Sequence, residues 1–409
     1  MVSSEELEPI SEPGKELVDR IAQIGPRLSQ AALEADQAGD YAHESVEVLK
    51  SIGAPGAVTP QELGGLGVDT AHDFAVAMNR VARHDGSAAL IINMHLFRMF
   101  LYARGWRMLQ AMGGIDPDPL GELLARVAAD NLMIAAIVTE PGTDHLHLRT
   151  TATNVDGGWS LNGRKGFATG SPGADLLGVV CRYDNDAGEA RMGALLVPAD
   201  ADGVRQLDNW DSLGMRASGS QDLVFEDAVV DDDMLDLGPY GAFSEGYLIS
   251  NALGFIGLAA AFLGIAETAQ ALTLETLRKR NQAGKPFLQV GVAESECDLA
   301  ASRALVERSA AVPDRTLARQ TFGFDLDEAH AVMKDLQYTK HVVTHAAIRV
   351  TDRAMTLSGG SGYLNTNLLS RLYRDVRAGP FMQPFSPNDA LGYIGQVALT
   401  GSSTTWLQE

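Results

Sequence analysis

The sequence has few cysteines and few basic residues. Only two of its 409 residues are cysteine, and Cys181 and Cys297 lie far apart without a C-x-x-C spacing. Neither a disulfide framework nor a structural zinc site is therefore expected, and a reducing, cytoplasmic location is predicted. The 32 lysines and arginines are outnumbered by 53 acidic residues, which gives a net charge of −21 and argues against nucleic acid binding.

Neither a secretory leader nor a membrane segment is expected. Residues 1–9 are acidic and polar, without the basic and then apolar regions of a signal peptide. Residues 246–266 carry no charge over 21 positions, a length that is sufficient to span a bilayer. This run contains Ser250, Asn251 and four glycines and lacks basic flanks, so we predict a helix buried on all sides within the protein.

Residues 1–133 are predicted to form an N-terminal α-helical domain. Apolar residues recur every three or four positions in 21–33 and 74–81, which is the period of helices with one buried face. Glycine and proline stretches, such as Gly25-Pro26 and residues 53–67, are expected to separate the helices.

Residues 134–240 are predicted to form a middle antiparallel β domain, with a sandwich or a barrel as its architecture. Short apolar runs separated by turn signals indicate strands, at 134–138, 177–180 and 193–197. Asp156-Gly157-Gly158 predicts a hairpin, and Asn162-Gly163 predicts a second turn directly after it.

Residues 241–409 return to the helical period and are predicted to form a C-terminal helical bundle, with a break near residues 281–286. The expected fold class is therefore α+β, with helices, a sheet domain and helices following one another along the chain. No internal repeat and no long low-complexity linker interrupt this order.

Three motifs in the middle region follow one another at characteristic spacings. The first is a strand that ends in Thr139-Glu140-Pro141-Gly142. The second runs from Trp159 to Ser171, and the third covers residues 213–227. Each motif alone is typical of a strand with an adjoining turn. Together, in this order and spacing, they resemble the middle domain of the acyl-CoA dehydrogenase family of flavoproteins, and the division into helices, sheet and helices agrees with that family's layout.

The resemblance implies an FAD whose flavin ring lies between the sheet domain and the C-terminal bundle. Val138 and Thr139 match the positions that touch the pyrimidine edge of the flavin. Phe167 takes the place of a frequent Trp against the ring, and an aromatic side chain there retains the ring contact. Thr169 matches the hydroxyl residue beside it.

The C-terminal region extends the resemblance. Arg280, followed by Gly284-Lys285-Pro286, resembles the family signature in which an Arg reaches the FAD pyrophosphate, typically of a neighbouring subunit. The alternative is a basic helix end that offsets the helix dipole. Gly359 and Gly360 match the family's glycine turn, and a simple turn between helices is the alternative there. Family members are usually homotetramers, so a homo-oligomer is expected, although the sequence does not distinguish a dimer from a tetramer.

The usual catalytic carboxylates of the family are absent. Most members remove an α proton from an acyl thioester with a Glu, and that position holds Gln383 here. The isovaleryl-CoA dehydrogenase type places its Glu on the first helix of the bundle, at about Gly254. Asp375 and Asp389 are the nearest acidic candidates for a relocated base. For Asp389, a helix cap is the structural alternative.

The loop after the Thr-Glu-Pro-Gly turn also departs from the family. The family's Ala-Gly-Ser-Asp loop is replaced by residues 143–149, a segment shorter by two residues that contains His145 and His147. Two imidazoles on this loop are candidates to orient a substrate, and a solvated loop is the alternative. Several further FAD contacts differ from the family, at Ala283, Thr356, Phe385 and Pro387. No metal site is expected.

Three functions follow from the resemblance. The leading hypothesis is an FAD-dependent desaturation of an acyl thioester, carried by CoA or an acyl carrier protein, with an unusual base and an electron-transfer partner or oxygen as acceptor. The second is a flavin monooxygenase on the same fold, which the missing Glu favours because oxygen transfer needs no α-proton base. The third is a flavin-poor subunit that binds a partner without redox chemistry.

Overall fold

The computed structural model describes residues 6–113, 117–231, 234–317 and 325–403. These residues form a helical region, a β-sheet and a second helical region, in that order along the chain. The ends of the first and third predicted domains, residues 1–5 and 404–409, lie outside the described residues.

Five α-helices lie in the described part of the N-terminal region: α1 (Glu12–Ala38), α2 (His43–Lys50), α3 (Ala71–Ala82), α4 (Gly86–Met112) and α5 (Asp118–Asp130). Side-chain oxygens cap the first turns of three of them. Ser11 accepts a hydrogen bond from Gly14 N in α1, and Thr70 and Asp85 do the same at the starts of α3 and α4. Short 3-10 turns fill much of the segment between α2 and α3, as the glycine and proline residues there predict.

The predicted break at Gly25-Pro26 is wrong, because α1 continues through both residues. A proline inside a helix removes a backbone hydrogen bond and costs about 3 kcal/mol. The buried face of α1, which includes Leu17, Ile21 and Leu28, offsets this cost. A Cβ at Gly25 would lie 2.5 Å from the His84 ring, so glycine lets α1 approach that side chain closely.

Eight strands form one sheet: β1 (Ile134–Ile137), β2 (Thr151–Val155), β3 (Gly158–Ala168), β4 (Leu176–Asp184), β5 (Ala190–Pro198), β6 (Val204–Gln206), β7 (Gln221–Val230) and β8 (Leu235–Pro239). Their order is β6-β7-β3-β2-β4-β5-β8, with β1 paired to β4. All the described strands therefore belong to one hydrogen-bonded sheet, and its closure into a sandwich or a barrel stays a prediction. Most pairs are antiparallel, as predicted, but β1 and β2 each pair with β4 in parallel. The long crossover between β1 and β4, which contains the β2–β3 hairpin, returns β4 in the direction of β1.

The predicted turn at Asn162-Gly163 is also wrong, because β3 runs on to Ala168. The structure places a register shift at this point instead, between Leu161 and Gly163. The Asn162 side chain exchanges two 2.9 Å hydrogen bonds with Asp227 on β7, one with its carboxylate and one with its backbone N–H. Polar turn residues here serve a β-bulge rather than a chain reversal.

The C-terminal region consists of α6 (Glu245–Lys279), α7 (Pro286–Leu317), α8 (Leu326–Ser358), α9 (Leu368–Val376) and α10 (Pro387–Thr400). The predicted break falls between α6 and α7. By length and composition α6 qualifies as a membrane span, with a mean hydropathy of 2.0, but 89% of that window is buried inside the protein. The helix packs against α3, α4, α7, α8 and α9, so the prediction of a helix buried on all sides is confirmed.

Candidate functional site

The ends of β1 and β3 lie side by side and bring the predicted flavin contacts of the sheet domain together. Gly166 N donates a hydrogen bond of 2.9 Å to Thr139 O, which joins the two strand ends. Thr169 N donates to Phe167 O at 2.8 Å. The structure therefore groups Val138, Thr139, Phe167 and Thr169 at one place in the sheet.

A β-bulge presents the Phe167 ring to the outside. The register of β3 against β7 shifts between Lys165 and Ala168, and Phe167 adopts a left-handed φ of 53°. This conformation costs a non-glycine residue on the order of 1 kcal/mol. The Phe167 side chain is 63% exposed, with its ring centroid 5.9 Å from that of Trp210 in an edge contact. An exposed aromatic ring held in a strained position next to two threonines fits the contact surface of a flat cofactor such as a flavin.

A buried ion pair lies next to these predicted flavin contacts. Lys165 Nζ lies 2.6 Å from Glu140 Oε1 and donates a second hydrogen bond of 3.1 Å to Val138 O. Burial is the largest single influence on Glu140 and opposes its ionisation, but the charge of Lys165 and the hydrogen bonds that Glu140 accepts together outweigh it, so the pKa of Glu140 lies below its ordinary value. Glu140 also accepts hydrogen bonds from Arg149 N and Thr150 N, which closes the chain between them into a compact loop.

That loop, residues 141–148, is built around Asp144. Its carboxylate accepts hydrogen bonds from Leu146 N at 2.8 Å and His147 N at 2.9 Å, and His147 Nδ1 lies 2.9 Å from its other oxygen. Gly241 N donates to Leu146 O, which attaches the loop to the segment before α6. The loop is therefore an ordered part of the site.

The two histidines of the loop differ in their surroundings. His147 keeps 43% of its side chain exposed, whereas His145 is only 5% exposed. His145 Nε2 lies 3.3 Å from Thr139 Oγ1, so the loop directly contacts one of the residues predicted to bind the flavin. Burial, with a contribution from the charge of Lys165, lowers the pKa of His145 to about 3. For His145, the alternative of a solvated loop is therefore wrong.

A second loop carries Gln383, the residue at the usual Glu position. Gln383 is exposed, between Met382 and the buried residues Pro384 and Phe385. Lys340 of α8 donates hydrogen bonds of 2.5 Å to Met382 O and 2.9 Å to Phe385 O. Burial lowers the pKa of Lys340 to about 7. The sequence reasoning missed Lys340, although a lysine four residues after Leu336 and three before Val343, both buried, interrupts an apolar stripe.

The candidates for a relocated base are engaged in local contacts. Asp375 is 3% exposed and accepts a hydrogen bond of 2.7 Å from Met215 N. Its burial raises its pKa to about 6. Asp389 is exposed in the first turn of α10, where Ser386 Oγ donates to it at 2.5 Å. Gly254 is buried in α6, and a Cβ there would lie 3.5 Å from the Phe97 ring.

Arg280 and the glycine turn lie next to each other. Arg280 Nη1 donates to Ser358 O at 2.7 Å, and Nη2 donates to Ser361 Oγ at 3.0 Å, so the guanidinium spans Gly359 and Gly360. A cation beside a glycine turn is suited to a phosphate or diphosphate group. Within the described ranges, no three His, Cys, Asp or Glu side chains lie close enough together to hold a metal ion.

The sequence matches three domains of one family. Residues 15–105 match the N-terminal domain of acyl-CoA dehydrogenase, residues 135–228 match its middle domain and residues 256–385 match its C-terminal domain.

Full-length similarity is found to proteins of known activity and structure. The amino sugar nitrososynthase DnmZ of Streptomyces peucetius is 34% identical, over 96% of this chain and 95% of that protein. The L-evernosamine nitrososynthase of a Micromonospora species is also 34% identical, over 96% of this chain and 91% of that protein. The solved structure of KijD3 with FMN and dTDP-3-amino-2,3,6-trideoxy-4-keto-3-methyl-D-glucose has a TM-score of 0.88 at 31% identity, covering 97% of this chain and 96% of that one.

Proposed function

The chain belongs to the acyl-CoA dehydrogenase family, and we propose that it is a flavin-dependent enzyme that oxidises the amino group of an amino sugar. One observation carries the proposal. Both positions that hold the family's base lack a carboxylate, at Gln383 and Gly254, while the residues predicted to contact the flavin are grouped around Thr139. Two relatives that match along nearly the whole chain are named for amino sugar and L-evernosamine nitroso synthesis.

Oxidation of an amine nitrogen suits a site without that base. The lone pair of the nitrogen is the nucleophile, so no carbon-bound proton has to be removed before the reaction. A carboxylate next to the amine would stabilise its protonated form and hide the lone pair. The neutral amide of Gln383 lacks this effect. The missing Glu therefore argues against the acyl thioester that the resemblance implied, and the names of the relatives do not support that substrate either.

The chain's own residues hold and orient the reacting groups. A bound, reduced flavin would supply two electrons and activate dioxygen. Phe167 would pack against a bound flavin ring, and the hydroxyl groups of Thr139 and Thr169 would be available to hydrogen-bond its polar edge. Arg280 and the adjoining glycine turn are suited to the pyrophosphate of FAD. The hydrogen bonds from Lys340 hold the backbone on both sides of Gln383.

The substrate is proposed to be attached to a nucleoside diphosphate. The support is the complex of KijD3, in which the amino sugar is joined to dTDP. In the first oxidation, the amine, dioxygen, two electrons and two protons give a hydroxylamine and water, and one N–O bond forms. Repetition of this step followed by loss of water gives the nitroso group.

The test is to incubate the protein with FAD or FMN, a chemical reductant for the flavin, dioxygen and a dTDP-amino sugar. Mass spectrometry is expected to show addition of oxygen to the sugar, with the label retained when ¹⁸O₂ is used. The matched control is the dTDP-sugar with a hydroxyl group in place of the amine, which is expected to remain unchanged. Bleaching of the bound flavin by an acyl-CoA without oxygen would contradict the proposal, and so would a protein that binds no flavin.

A further inference from the structure

His145 lies directly behind Thr139, the predicted flavin contact at the end of β1. Its Nε2 atom is 3.3 Å from Thr139 Oγ1, and its side chain is almost entirely buried. The other ring nitrogen, Nδ1, is also buried and has no hydrogen-bond partner among the described residues. Among the described residues the imidazole therefore has one polar contact, the hydroxyl group of Thr139, which is a predicted flavin contact.

The surroundings keep this imidazole neutral. Lys165 and Lys340 oppose its protonation, and Asp144 and Glu140 favour it, but burial is the largest influence. The resulting pKa of about 3 means that His145 carries a single N–H hydrogen at every pH near neutrality. His145 therefore acts as a fixed hydrogen-bonding group and does not transfer protons there.

The position of that hydrogen follows from the unpaired nitrogen. If the hydrogen were on Nδ1, a buried N–H group would lack an acceptor, which is rare in folded proteins. With the hydrogen on Nε2, the N–H group donates to Thr139 Oγ1, and only a lone pair on Nδ1 lacks a partner. The second arrangement pairs the donor and is therefore favoured.

We propose that His145 is a positioning residue that donates to the Thr139 hydroxyl and thereby directs the hydroxyl hydrogen toward the flavin. Because Thr139 Oγ1 already accepts from His145, its own hydrogen is available to an acceptor on the flavin edge. This inference rests on the proposed flavin-dependent function. The proposal gives the loop of residues 141–148 a role, because the hydrogen bonds of Asp144 and Gly241 with this loop hold His145 in place.

The test measures flavin binding and flavin absorption in the absence of substrate. In His145→Phe, the ring remains but the donor is lost, and the flavin dissociation constant is expected to rise about fivefold to tenfold, with a shift of the flavin absorption maxima. His145→Gln places an amide donor near the Nε2 position and is expected to restore both properties. The control is His43→Gln, an exposed histidine on α2, which is expected to leave the absorption maxima unchanged.

A double-mutant cycle separates this role from general packing. Thr139→Val removes the hydroxyl group, so adding His145→Phe to Thr139→Val is expected to cause no further loss of flavin. If His145→Phe does not fold by circular dichroism, His145→Asn is the second variant, because its shorter amide does not reach the Nε2 position. It is expected to lose flavin as His145→Phe would.

Three results would overturn the inference. They are additive losses in the cycle, unchanged flavin absorption in the folded His145 variant without a donor, and failure of a folded His145→Gln to restore binding. A wild-type protein that binds no flavin would instead refute the proposed function itself. A wild-type protein that binds flavin but does not oxidise amino sugars would leave the role of His145 measurable by the same titrations.

Discussion

Several histidine and lysine side chains are buried in the interior of this protein. His95, His145 and Lys340 are each at most 5% exposed, and burial lowers the pKa of all three. A neutral side chain can hold a precise hydrogen-bonding pattern without attracting counterions or water. The same burial couples the protonation of these groups to folding, so their contributions are measurable as changes of stability with pH.

His95 predicts a loss of stability in acid. Its Nδ1 accepts from Ile134 N at 2.9 Å, and Nε2 lies 2.9 Å from Pro55 O, so the neutral ring links β1 to the segment after α2. Its pKa is about 4 when folded, below the ordinary 6.5, so the unfolded chain binds more protons between these values. Stability is therefore expected to fall as pH decreases from 6.5 to 4, by about 1.4 kcal/mol per pH unit from this group.

His95→Gln tests this prediction, because the amide supplies the same donor and acceptor without titrating. Urea unfolding at pH 4, 5, 6 and 7 is expected to show a shallower pH dependence in the variant than in the wild type. Parallel curves for the two proteins would contradict the prediction.

The burial of Lys340 is expected to change the stability of the protein at alkaline pH. Its pKa is about 7 in the folded protein and 10.5 ordinarily, so the unfolded chain binds more protons between these values. Stability from this group is therefore expected to rise with pH between about 7.5 and 9.5, by about 1.4 kcal/mol per pH unit. Lys340→Met is expected to lack this rise in denaturant titrations, with Lys334→Met on the same helix as the control. An unchanged slope in Lys340→Met would show that Lys340 stays charged in the fold.

At the scale of the elements, the buried pair of Glu140 and Lys165 connects β1, β3 and the start of β2. Glu140→Gln leaves the Lys165 charge buried without its partner, which is expected to destabilise the protein by about 3–5 kcal/mol. The double variant Glu140→Gln with Lys165→Met removes the buried charge and is expected to recover part of this loss. Thermal unfolding of the two variants and of Lys165→Met makes the comparison. A double variant less stable than Glu140→Gln would contradict it.

Most elements were predictable from the sequence, and the wrong predictions occur where tertiary contacts override a local turn signal. The strand pattern at 134–138 corresponds to β1, and the hairpin at Asp156-Gly157-Gly158 lies between β2 and β3. The predicted helix break at Gly25-Pro26 and the predicted turn at Asn162-Gly163 were wrong, because local turn propensity does not include the packing of α1 or the pairing of β3 with β7. The grouping of Thr139 with Phe167 followed from family resemblance. The contact between His145 and Thr139 did not, since the loop that makes it departs from the family.

At the scale of the whole molecule, the C-terminal bundle exposes apolar side chains. Phe287 and Val290 of α7 are 70% and 60% exposed, and Tyr363 beside the glycine turn is 81% exposed. Large apolar groups concentrated on one region are typical of an interface between subunits. The expected homo-oligomer is therefore proposed to form through this region. Arg280, which the resemblance assigns to the flavin of a neighbouring subunit, lies in the same part of the chain.

The double variant Phe287→Asp with Val290→Asp is expected to lower the mass measured by light scattering, because it places charges on the proposed interface. The separated subunits are expected to retain less flavin, since Arg280 no longer reaches its neighbour. Val229→Asp changes an exposed apolar residue of β7 and is expected to leave the mass unchanged. A wild-type monomer, or a variant of full mass and full flavin content, would contradict the prediction.

The burial of α6 has a consequence for the synthesis of the chain. This apolar helix is translated before α7, α8 and α9, which cover much of its surface in the finished fold. A nascent chain that ends shortly after Lys279 therefore exposes an apolar helix to the solvent, and ribosome-associated chaperones are expected to bind it. Truncation after residue 285 is expected to give insoluble protein even though the sheet domain is complete. The rest of the chain therefore depends on the helices after residue 285 for its solubility.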